Sequence, residues 1–250
     1  MADCSVESVL AKVSAILSPV GLESHPFKIG WYNDQLEHEA FNLPYPYDTL
    51  ALVIISTPQM FERGFKPFIK ATACIGENDP LDEFMATMFA KVKAEFGPEC
   101  NIEAIHDFEM LPNRRPKVLV QTAAHVAGGA YYYQRNSVTK DPWDTKKKIC
   151  GVSVHAKYGG WFAMRGVIIF KNVLVPDLQQ KEPKDVVQGD EKRIELLEKF
   201  NFHWQDWSFR DIVPSEVKYS EEQKKYFATL PANRKELLDS YRNTAALATE

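Results

Sequence analysis

The chain has 250 residues, 45% of them hydrophobic, which is enough to bury a full core in one large domain. Its 30 basic and 34 acidic residues give a formal charge of −4, which argues against a nucleic acid or an anionic membrane as partner and favours a small-molecule pocket. The cysteines show no CxxC and no zinc-like spacing, and the sequence has no signal peptide and no apolar run of about 18 residues. These features predict a cytoplasmic protein without a structural metal.

The first part of the chain predicts a helix and two strands. Apolar residues recur at helical spacing over 6–17, and the Ser18-Pro19 pair before Gly21 predicts the end of that helix. Residues 27–32 are typical of a strand. The continuous apolar run over 50–55 is typical of a strand that is covered on both faces.

The middle of the chain predicts two capped helices and three more strands. Thr57-Pro58 and Asp79-Pro80 each place a capping residue before a proline that suits the first helical position, so helices are expected to about 71 and about 96. Residues 102–110, 150–155 and 161–170 are typical of strands. Together these elements predict an α+β fold, a central and mostly antiparallel sheet flanked by helices.

The composition changes after the last predicted strand. Prolines, acids and glutamines dominate residues 172–190, which we expect to form an extended arm or loop. Residues 191–250 predict a helical C-terminal cap, with three short helices over 191–200, 220–227 and 231–241. We therefore expect the whole chain, 1–250, to form a single domain.

The stretch from 113 to 135 combines features of a binding element. Val118–Val120 predict a buried strand, and Gln121-Thr122 predicts the start of a helix that is rich in small residues. Gly128-Gly129 in that run should cost roughly 1 kcal/mol each relative to alanine, so a packing or binding reason is expected. The segment 131–134 adds three tyrosines and a glutamine. We expect a ligand to lie against this element.

His125 begins an HxxG sequence. One family of cobalamin-binding modules uses D-x-H-x-x-G, in which the aspartate supports the histidine as a cobalt ligand. Ala123 stands at the position of that aspartate, so metal ligation lacks its usual carboxylate partner. The favoured interpretation of His125 is a locally hydrogen-bonded residue in a pocket wall, and cobalt ligation is the alternative.

Arg165 lies in a predicted strand that is otherwise apolar. A buried arginine without an anionic partner costs on the order of several kcal/mol, so either an internal salt bridge or an anionic ligand is expected. Arg210 and Arg234 would join it only through the tertiary fold. The chain has no GxGxxG after a strand, no GxSxG, no HExxH and no P-loop, which disfavours Rossmann enzymes, hydrolases and kinases.

Longer blocks carry a resemblance to a known family. They are WYN at 31–33, STPQMF at 56–61, LPNRRPK at 111–117, QTAAHVAGGAYYYQR at 121–135, DPW at 141–143, GGWFAMRGV at 159–167, VPDL at 175–178, FNFHWQDW at 200–207 and YSEEQKKYF at 219–227. In these blocks the chain resembles the methylmalonic aciduria and homocystinuria type C (CblC) family of cobalamin-processing proteins over nearly its whole length. The segment 144–148 has one extra residue relative to the family pattern.

The resemblance implies a flavin nitroreductase-like fold that holds cobalamin with its lower dimethylbenzimidazole base detached from cobalt. It implies an enzyme and chaperone that transfers the alkyl group of methylcobalamin or adenosylcobalamin to glutathione, giving cob(I)alamin and S-alkylglutathione. It also implies reductive removal of cyanide from cyanocobalamin with reduced FAD or FMN. The implied partners are the type D cobalamin-trafficking protein, methionine synthase and its reductase, and a homodimer is a further expectation.

By motif position, the resemblance implies two sets of site residues and no protein ligand to cobalt. The catalytic set would bind glutathione and stabilise its thiolate, because arginines bind carboxylates in pairs of hydrogen bonds and a neighbouring cation lowers the pKa of a thiol. It comprises Arg165, Arg210 and Arg234. The cobalamin-binding set comprises Asp107, Val118, Leu119, Val120, Gln121, His125, Tyr132, Tyr133, Gln134, Ser153, Met164 and Trp207.

Two alternatives come from other functional classes. In the first, the chain is a non-catalytic cobalamin carrier, which tight binding without turnover would support. In the second, it is a flavin oxidoreductase that acts on other small electrophiles, an interpretation that rests on fold resemblance alone. Bound flavin together with NAD(P)H oxidation in the absence of cobalamin would support the second.

Overall fold

The computed structural model describes residues 5–72 and 79–243, so Cys4, Cys74 and the predicted end of the helical cap at 244–250 lie outside the described residues. The helices are α1 (Val6–Leu17), α2 (Ile29–Asp34), α3 (Lys66–Ala71), α4 (Pro80–Ala94), α5 (Val120–Val126), α6 (Asp190–Phe202), α7 (Glu221–Ala228) and α8 (Lys235–Asn243). The strands are β1 (Leu22–Lys28), β2 (Thr49–Ser56), β3 (Ile102–His106), β4 (Tyr131–Tyr133), β5 (Val152–Val154) and β6 (Ala163–Leu174).

Four strands form the central sheet in the order β1-β2-β6-β3, and each neighbouring pair is antiparallel. Side chains alternate along β2: Leu50, Leu52 and Ile54 pack with α1 and α4 on one face, and the residues between them pack with α2 and α5 on the other. We call these the α4 face and the α5 face. The α+β class, with an antiparallel sheet flanked by helices, is thus confirmed, as is a strand covered on both faces.

Capping residues explain where two of the predicted helices begin and end. The helix over 6–17 is confirmed, and Gly21, at φ 77°, follows the turn that ends it. Asp79 accepts a hydrogen bond from the Leu81 N–H at 2.9 Å, and Pro80 occupies the first position of α4, as predicted. The Thr57 hydroxyl accepts from the Gln59 N–H at 3.3 Å, and a π-helical turn then precedes α3.

Two predicted strands are wrong. β1 ends at Lys28, and Ile29–Asp34 turns into α2, whose Tyr32 is buried in the core of the α5 face. Val118–Val120 form no strand, because the Leu119 N–H donates to the Tyr32 hydroxyl at 3.0 Å instead of to a neighbouring strand, and Val120 begins α5. That helix is also shorter than its small-residue pattern suggested, since it ends at Val126 and Gly128 adopts φ 71°.

A second, two-stranded sheet of β4 and β5 packs against α6 around its own apolar cluster. The predicted strand over 150–155 therefore exists in shortened form, outside the central sheet. Residues 175–189 contain neither helix nor strand, and Tyr133 of β4 attaches them to the two-stranded sheet. Its hydroxyl donates to Asp185 at 2.7 Å and accepts from the N–H groups of Val186 and Val187 at 2.9 Å.

The three predicted C-terminal helices correspond to α6, α7 and α8. α8 is strongly amphipathic and buries Leu238 and Tyr241 in the cluster of the α4 face, next to Phe61. In the described part of the chain, no helix combines the length and apolar character that crossing a bilayer requires.

Candidate functional site

An open groove runs beside α2, α5 and β4. It consists of two adjoining cavities of about 300 Å³ and about 740 Å³. Their shared lining residues are Glu37, Leu119, Gln121, Tyr132, Gln134 and Asn136. The structure thus brings five of the predicted cobalamin-binding residues to one groove: Leu119, Gln121, His125, Tyr132 and Gln134.

Carboxamide side chains give the groove its chemical character. Gln35, Gln121, Gln134 and Asn136 all line it, beside the apolar Leu119. Each carboxamide offers both donors and an acceptor, so this wall suits a ligand that is itself fringed with amides around a flat apolar face. Sequence reasoning missed Gln35 and Asn136, although both lie within three residues of blocks that it singled out.

His125 lies half-buried in this groove, with its ring orientation fixed by the backbone. The Tyr132 N–H donates to its Nδ1 at 3.1 Å. Burial lowers the pKa of His125, and Glu182 only partly opposes that effect. The ring is therefore neutral near pH 7, and since Nδ1 accepts a hydrogen bond, its proton resides on Nε2.

Several other predicted cobalamin residues lie behind the groove. Val118 is buried in the core of the α5 face, and Val120 is the first residue of α5. Tyr133 is fully buried, with its hydroxyl engaged by the arm. Ser153 lies opposite Tyr132 in the small sheet, and its buried Oγ has no hydrogen-bond partner among the described residues.

A third cavity, of about 840 Å³, lies beside the groove, and Cys150 lines both. Its walls carry aromatic side chains, including the predicted residue Trp207 and the exposed Trp204. Two of the three predicted arginines, Arg210 and Arg234, line this cavity together. We call it the arginine cavity.

The backbone and aromatic rings hold Arg210 in place. Its Nη1 donates to the Gly160 carbonyl, and its guanidinium carbon lies 5.2 Å from the Trp207 ring centre and 5.1 Å from that of Tyr219. Its buried Nε has no hydrogen-bond partner among the described residues.

Arg234 is held by one ion pair and one carbonyl. Its Nη1 lies 2.6 Å from Asp79 Oδ2, and its Nε donates to the Thr229 carbonyl at 3.0 Å. Its guanidinium also lies 4.5 Å from the ring centre of Tyr226. Because Asp79 caps α4, this contact joins the C-terminal helices to the start of that helix.

Arg165 is the extra residue of a β-bulge. Ile54 pairs with Gly166 and Ile55 with Met164, so Arg165 has no partner on β2. Simple alternation from Val167 would turn Arg165 toward the α5 face, but Met164 packs there instead. The Arg165 Nε donates to Ser56 Oγ at 2.9 Å, on the α4 face. The bulge thus redirects the guanidinium to the face that α4 covers.

Arg165 is only 8% exposed, yet its guanidinium forms no ion pair within 4.0 Å among the described residues. Across the sheet, the Asp107 N–H donates to the Arg165 carbonyl at 3.3 Å. Asp107, predicted to bind cobalamin, therefore lies beside Arg165 and does not line the groove. The internal salt bridge that the sequence left open is not formed in the described part of the chain.

Asp82, in the first turn of α4, is within electrostatic range of both Arg165 and Arg234. Burial raises the pKa of Asp82 to about 6, together with the nearby acids Asp79 and Asp107, whereas Arg165 and Arg234 both act to lower it. Arg234 is therefore the arginine that these two neighbourhoods have in common. Arg234 lines the arginine cavity together with Arg210. Like Arg165, it also influences the pKa of Asp82, but Arg165 does not line that cavity.

One group in the described residues has the composition of a metal site: Glu23, His25 and His155. Their ligand atoms lie within 4.8 Å of one another. However, Nδ1 of His155 accepts hydrogen bonds from the N–H groups of Lys157 at 3.1 Å and Tyr158 at 3.2 Å. The proton of the neutral ring is then on Nε2, which faces Glu23, so this ring offers no lone pair to a metal there.

The chain is similar to known proteins over most of its length. A family profile described as "Methylmalonic aciduria and homocystinuria type C family" matches residues 21–238. A Gallus gallus protein named "Cyanocobalamin reductase / alkylcobalamin dealkylase" is 52% identical over 238 residues, covering 95% of this chain and 99% of that protein. A Homo sapiens protein of the same name is 49% identical over 233 residues, covering 93% of this chain and 82% of that protein.

A solved structure is similar in three dimensions. It is described as "Crystal structure of a C.elegans B12-trafficking protein CblC, a human MMACHC homologue". It superimposes with a TM-score of 0.84 at 36% sequence identity, and covers 95% of this chain and 97% of that chain.

Proposed function

We propose, because the chain belongs to the methylmalonic aciduria and homocystinuria type C family, that it is a cyanocobalamin reductase and alkylcobalamin dealkylase. The observation that carries this proposal is the carboxamide-lined groove. Its glutamines and asparagine can hydrogen-bond the amide groups at the edge of a corrin, while Leu119 and Tyr132 contact its flat face.

Cobalamin is proposed to bind with its lower base detached and without a protein ligand to cobalt. The hydrogen bond from the Tyr132 N–H to His125 Nδ1 supports this proposal, because it leaves a proton on Nε2 of the neutral ring. Withholding a nitrogen donor favours the weakly coordinated cob(I)alamin product over the alkylated substrate, and so favours the transition state that leads to it.

Dealkylation is proposed to proceed by in-line attack of the glutathione thiolate on the methyl or adenosyl carbon. The S–C bond forms while the C–Co bond breaks, and both of its electrons stay on cobalt, giving cob(I)alamin and S-alkylglutathione. The thiol proton is lost to solvent before attack. Arg165, Arg210 and Arg234 would bind the glutathione carboxylates, and their positive charge would stabilise the thiolate.

Flavin is the proposed electron donor for removal of cyanide from cyanocobalamin. The aromatic wall of the arginine cavity, with Trp204 and Trp207 beside two arginines, fits the flat ring and the phosphate of FAD or FMN. When bound, reduced flavin supplies the electron that releases cyanide from cobalt. A flavin nitroreductase-like fold is proposed on the same grounds.

We further propose a cytoplasmic protein that acts as one cobalamin-processing domain, with 175–189 as its arm and α6, α7 and α8 as its helical cap. Its product would pass to the type D cobalamin-trafficking protein and to methionine synthase and its reductase, and a homodimer is part of this proposal. These points rest on the family resemblance. The alternative of a non-catalytic cobalamin carrier uses the same groove without the thiol chemistry.

An anaerobic absorbance time course of methylcobalamin with the purified protein tests the proposal. We expect an immediate base-off spectrum and then cob(I)alamin with S-methylglutathione, the latter only when glutathione is present. Gln121→Leu should weaken cobalamin binding, whereas Gln59→Leu, an exposed glutamine outside the groove, should not. A base-off spectrum that glutathione leaves unchanged would reject the dealkylase and favour the carrier.

A further inference from the structure

A further cavity, of about 500 Å³, adjoins the arginine cavity, because Trp207 and Ala228 line both. Its lining also includes three lysines, Lys218, Lys224 and Lys225, which lie outside the groove and the arginine cavity. We call it the lysine cavity. It is therefore a separate, cationic site next to the cavity in which the flavin ring is proposed to bind.

Three cations gather around the buried ring of Trp161, which also lines the lysine cavity. The Nζ atoms of Lys224 and Lys218 lie 5.3 Å and 5.7 Å from the centre of this ring, and the guanidinium carbon of Arg210 lies 5.9 Å from it. The indole face attracts each cation, but the cations repel one another. Their combined field favours a negatively charged ligand at this place.

Two acids of the lysine cavity are engaged in holding its wall. Asp206 accepts a hydrogen bond from the Ser208 N–H at 2.8 Å. Asp211 accepts one from Nε1 of Trp161 at 2.7 Å and also lies 2.7 Å from Nζ of Lys218. Of the three lysines, Lys218 is therefore the one whose charge is already matched by a carboxylate at the cavity wall.

The other two lysines are more available to a ligand. Lys224 lies 2.8 Å from Glu221, whose side chain is 89% exposed. Such an exposed ion pair contributes little to stability, so an anionic ligand can displace Glu221 from it. Lys225 is exposed and forms no ion pair in the described part of the chain.

The cations of the arginine cavity have another proposed ligand. Arg210 and Arg234 are proposed to bind the carboxylates of glutathione, and Arg234 already lies 2.6 Å from Asp79. A flavin phosphate at these guanidinium groups would compete with glutathione for them. The lysines of the adjoining cavity offer the phosphate a position without that competition.

We infer that Lys218, Lys224 and Lys225 hold the phosphate of the proposed flavin, while its ring occupies the arginine cavity beside Trp207. The inference rests on the proposed flavin-dependent removal of cyanide, and it adds the determinant that distinguishes a phosphorylated flavin from riboflavin. A phosphate monoester carries about two negative charges near pH 7, and ammonium groups bind it as compact point charges. The lysines thus determine the affinity for the cofactor from a position away from its ring.

Flavin fluorescence, titrated with the purified full-length chain, tests the inference without any turnover. We expect wild-type protein to bind FMN about 10- to 100-fold more tightly than riboflavin, which lacks only the phosphate. Added salt should weaken the binding of FMN and leave that of riboflavin unchanged, because only FMN is held by charge.

Single substitutions at the lysine cavity should separate the two flavins. Lys224→Gln should weaken FMN binding about tenfold and leave riboflavin binding unchanged, whereas Lys224→Arg should retain most of the affinity for FMN. Glu221→Gln removes the acid that pairs with Lys224 and should strengthen FMN binding about two- to fivefold. Lys70→Gln, which removes an exposed lysine outside both cavities, is the matched control.

Equal affinities of wild-type protein for FMN and riboflavin would overturn the inference and leave flavin binding itself intact. An equal loss of both flavins in Lys224→Gln would also overturn it, since that indicates a structural role. A loss of FMN affinity in Arg234→Gln but not in Lys224→Gln would place the phosphate in the arginine cavity instead. A wild-type protein that binds neither flavin would reject the inference together with the proposed role of flavin, and would leave the proposed dealkylation untouched.

Discussion

The backbone N–H of Tyr132 donates a hydrogen bond to Nδ1 of His125 at 3.1 Å, across the turn that joins α5 to β4. This contact determines the tautomer of the histidine that most resembles a cobalt ligand. Because Nδ1 accepts, the neutral ring carries its proton on Nε2 and has no free lone pair to offer a metal.

His125→Ala should therefore leave the coordination of cobalt unchanged. We expect electron paramagnetic resonance of bound cob(II)inamide, which has no benzimidazole base, to show no splitting from an axial nitrogen in either wild type or variant. Cobinamide removes the internal nitrogen donor, so any nitrogen splitting must come from the protein. A splitting in wild type that disappears in His125→Ala would establish cobalt ligation.

Arg165→Ala should raise the KM for glutathione by about tenfold or more, because a charge-assisted pair of hydrogen bonds is lost. Arg165→Lys should restore the affinity for glutathione only in part, since an ammonium cannot bind a carboxylate in a bidentate manner. Folding should be retained, because the described residues form no ion pair with Arg165, and circular dichroism would check this. Exposed Arg63→Ala is the control. Undiminished dealkylation by Arg165→Ala at subsaturating glutathione would contradict the assigned role.

Tyr133→Phe should destabilise the protein by about 2–4 kcal/mol, because it removes one hydrogen bond to a carboxylate and two from backbone N–H groups. The segment 175–189 should also become more sensitive to limited proteolysis. Urea unfolding would give the stability, with Tyr131→Phe as the control, since no hydrogen bond of that hydroxyl is described. Equal stability of the two variants would show that the arm is held by other contacts.

The group of Glu23, His155 and Tyr158 should make the protein lose stability as the pH falls. Burial lowers the pKa of His155 from 6.5 to about 4, and the His25 hydrogen bond is the largest of the effects that lower the pKa of Glu23 from 4.5 to about 2. The unfolded chain therefore takes up protons first, from about pH 6.5 for the histidine and from about pH 4.5 for the acid.

His155→Gln should flatten the stability profile between pH 6.5 and pH 4 while leaving the fall below pH 4.5 in place. Urea unfolding at pH 7, 5.5 and 4 would measure this, with exposed His203→Gln as the control. A variant whose slope matches that of wild type would show that other groups govern the acid sensitivity.

Gly128→Ala and Gly189→Ala should differ sharply, although both glycines have positive φ values, 71° and 80°. An added Cβ at Gly128 would lie 2.5 Å from the Lys181 carbonyl oxygen in the arm, whereas at Gly189 it would meet nothing within 4 Å. We expect about 1–3 kcal/mol of backbone strain at Gly189, whose φ of 80° and ψ of 153° lie in a region nearly restricted to glycine, and a larger loss at Gly128, where the clash with Lys181 adds to the strain. Equal losses in urea unfolding would show that the arm can move aside.

Local signals in the sequence were sufficient where one element determined its own boundaries. Three signals each predict their structure from a few adjacent residues: the Asp79-Pro80 cap, the Ser18-Pro19 helix end and the apolar run of β2. The prediction of a strand over 27–32 is wrong because the burial of Tyr32 depends on α5, which is far away in sequence. Within its own segment, Tyr32 is apolar enough for a strand. The strand predicted over Val118–Val120 is wrong for the same reason, because Leu119 is the other partner in the contact with Tyr32.

The groove was predictable in part. Gln121, Tyr132 and Gln134 belong to one continuous block, so their neighbourhood followed from the sequence. Gln35 enters the groove directly after α2, part of which the sequence predicted as a strand. The arrangement around Arg165 was not predictable at all, because a one-residue shift between β2 and β6 has no signature in a single strand and becomes visible only when both are paired.

The bulge at Arg165 also bears on which changes this chain would tolerate during evolution. Deleting Arg165 would restore a regular ladder in which the other side chains of β6 keep their faces, because Gly166 would still pair with Ile54 and Met164 with Ile55. Deleting a residue between Val167 and Phe170 would instead keep the bulge and turn the side chains on one side of the deletion to the opposite face, where buried apolar residues would meet solvent or the opposite core. A substitution in β6 would change the contacts of one side chain. A single-codon deletion there would displace all the side chains of a whole segment. Length should therefore be the most strongly preserved property of this strand among functional variants.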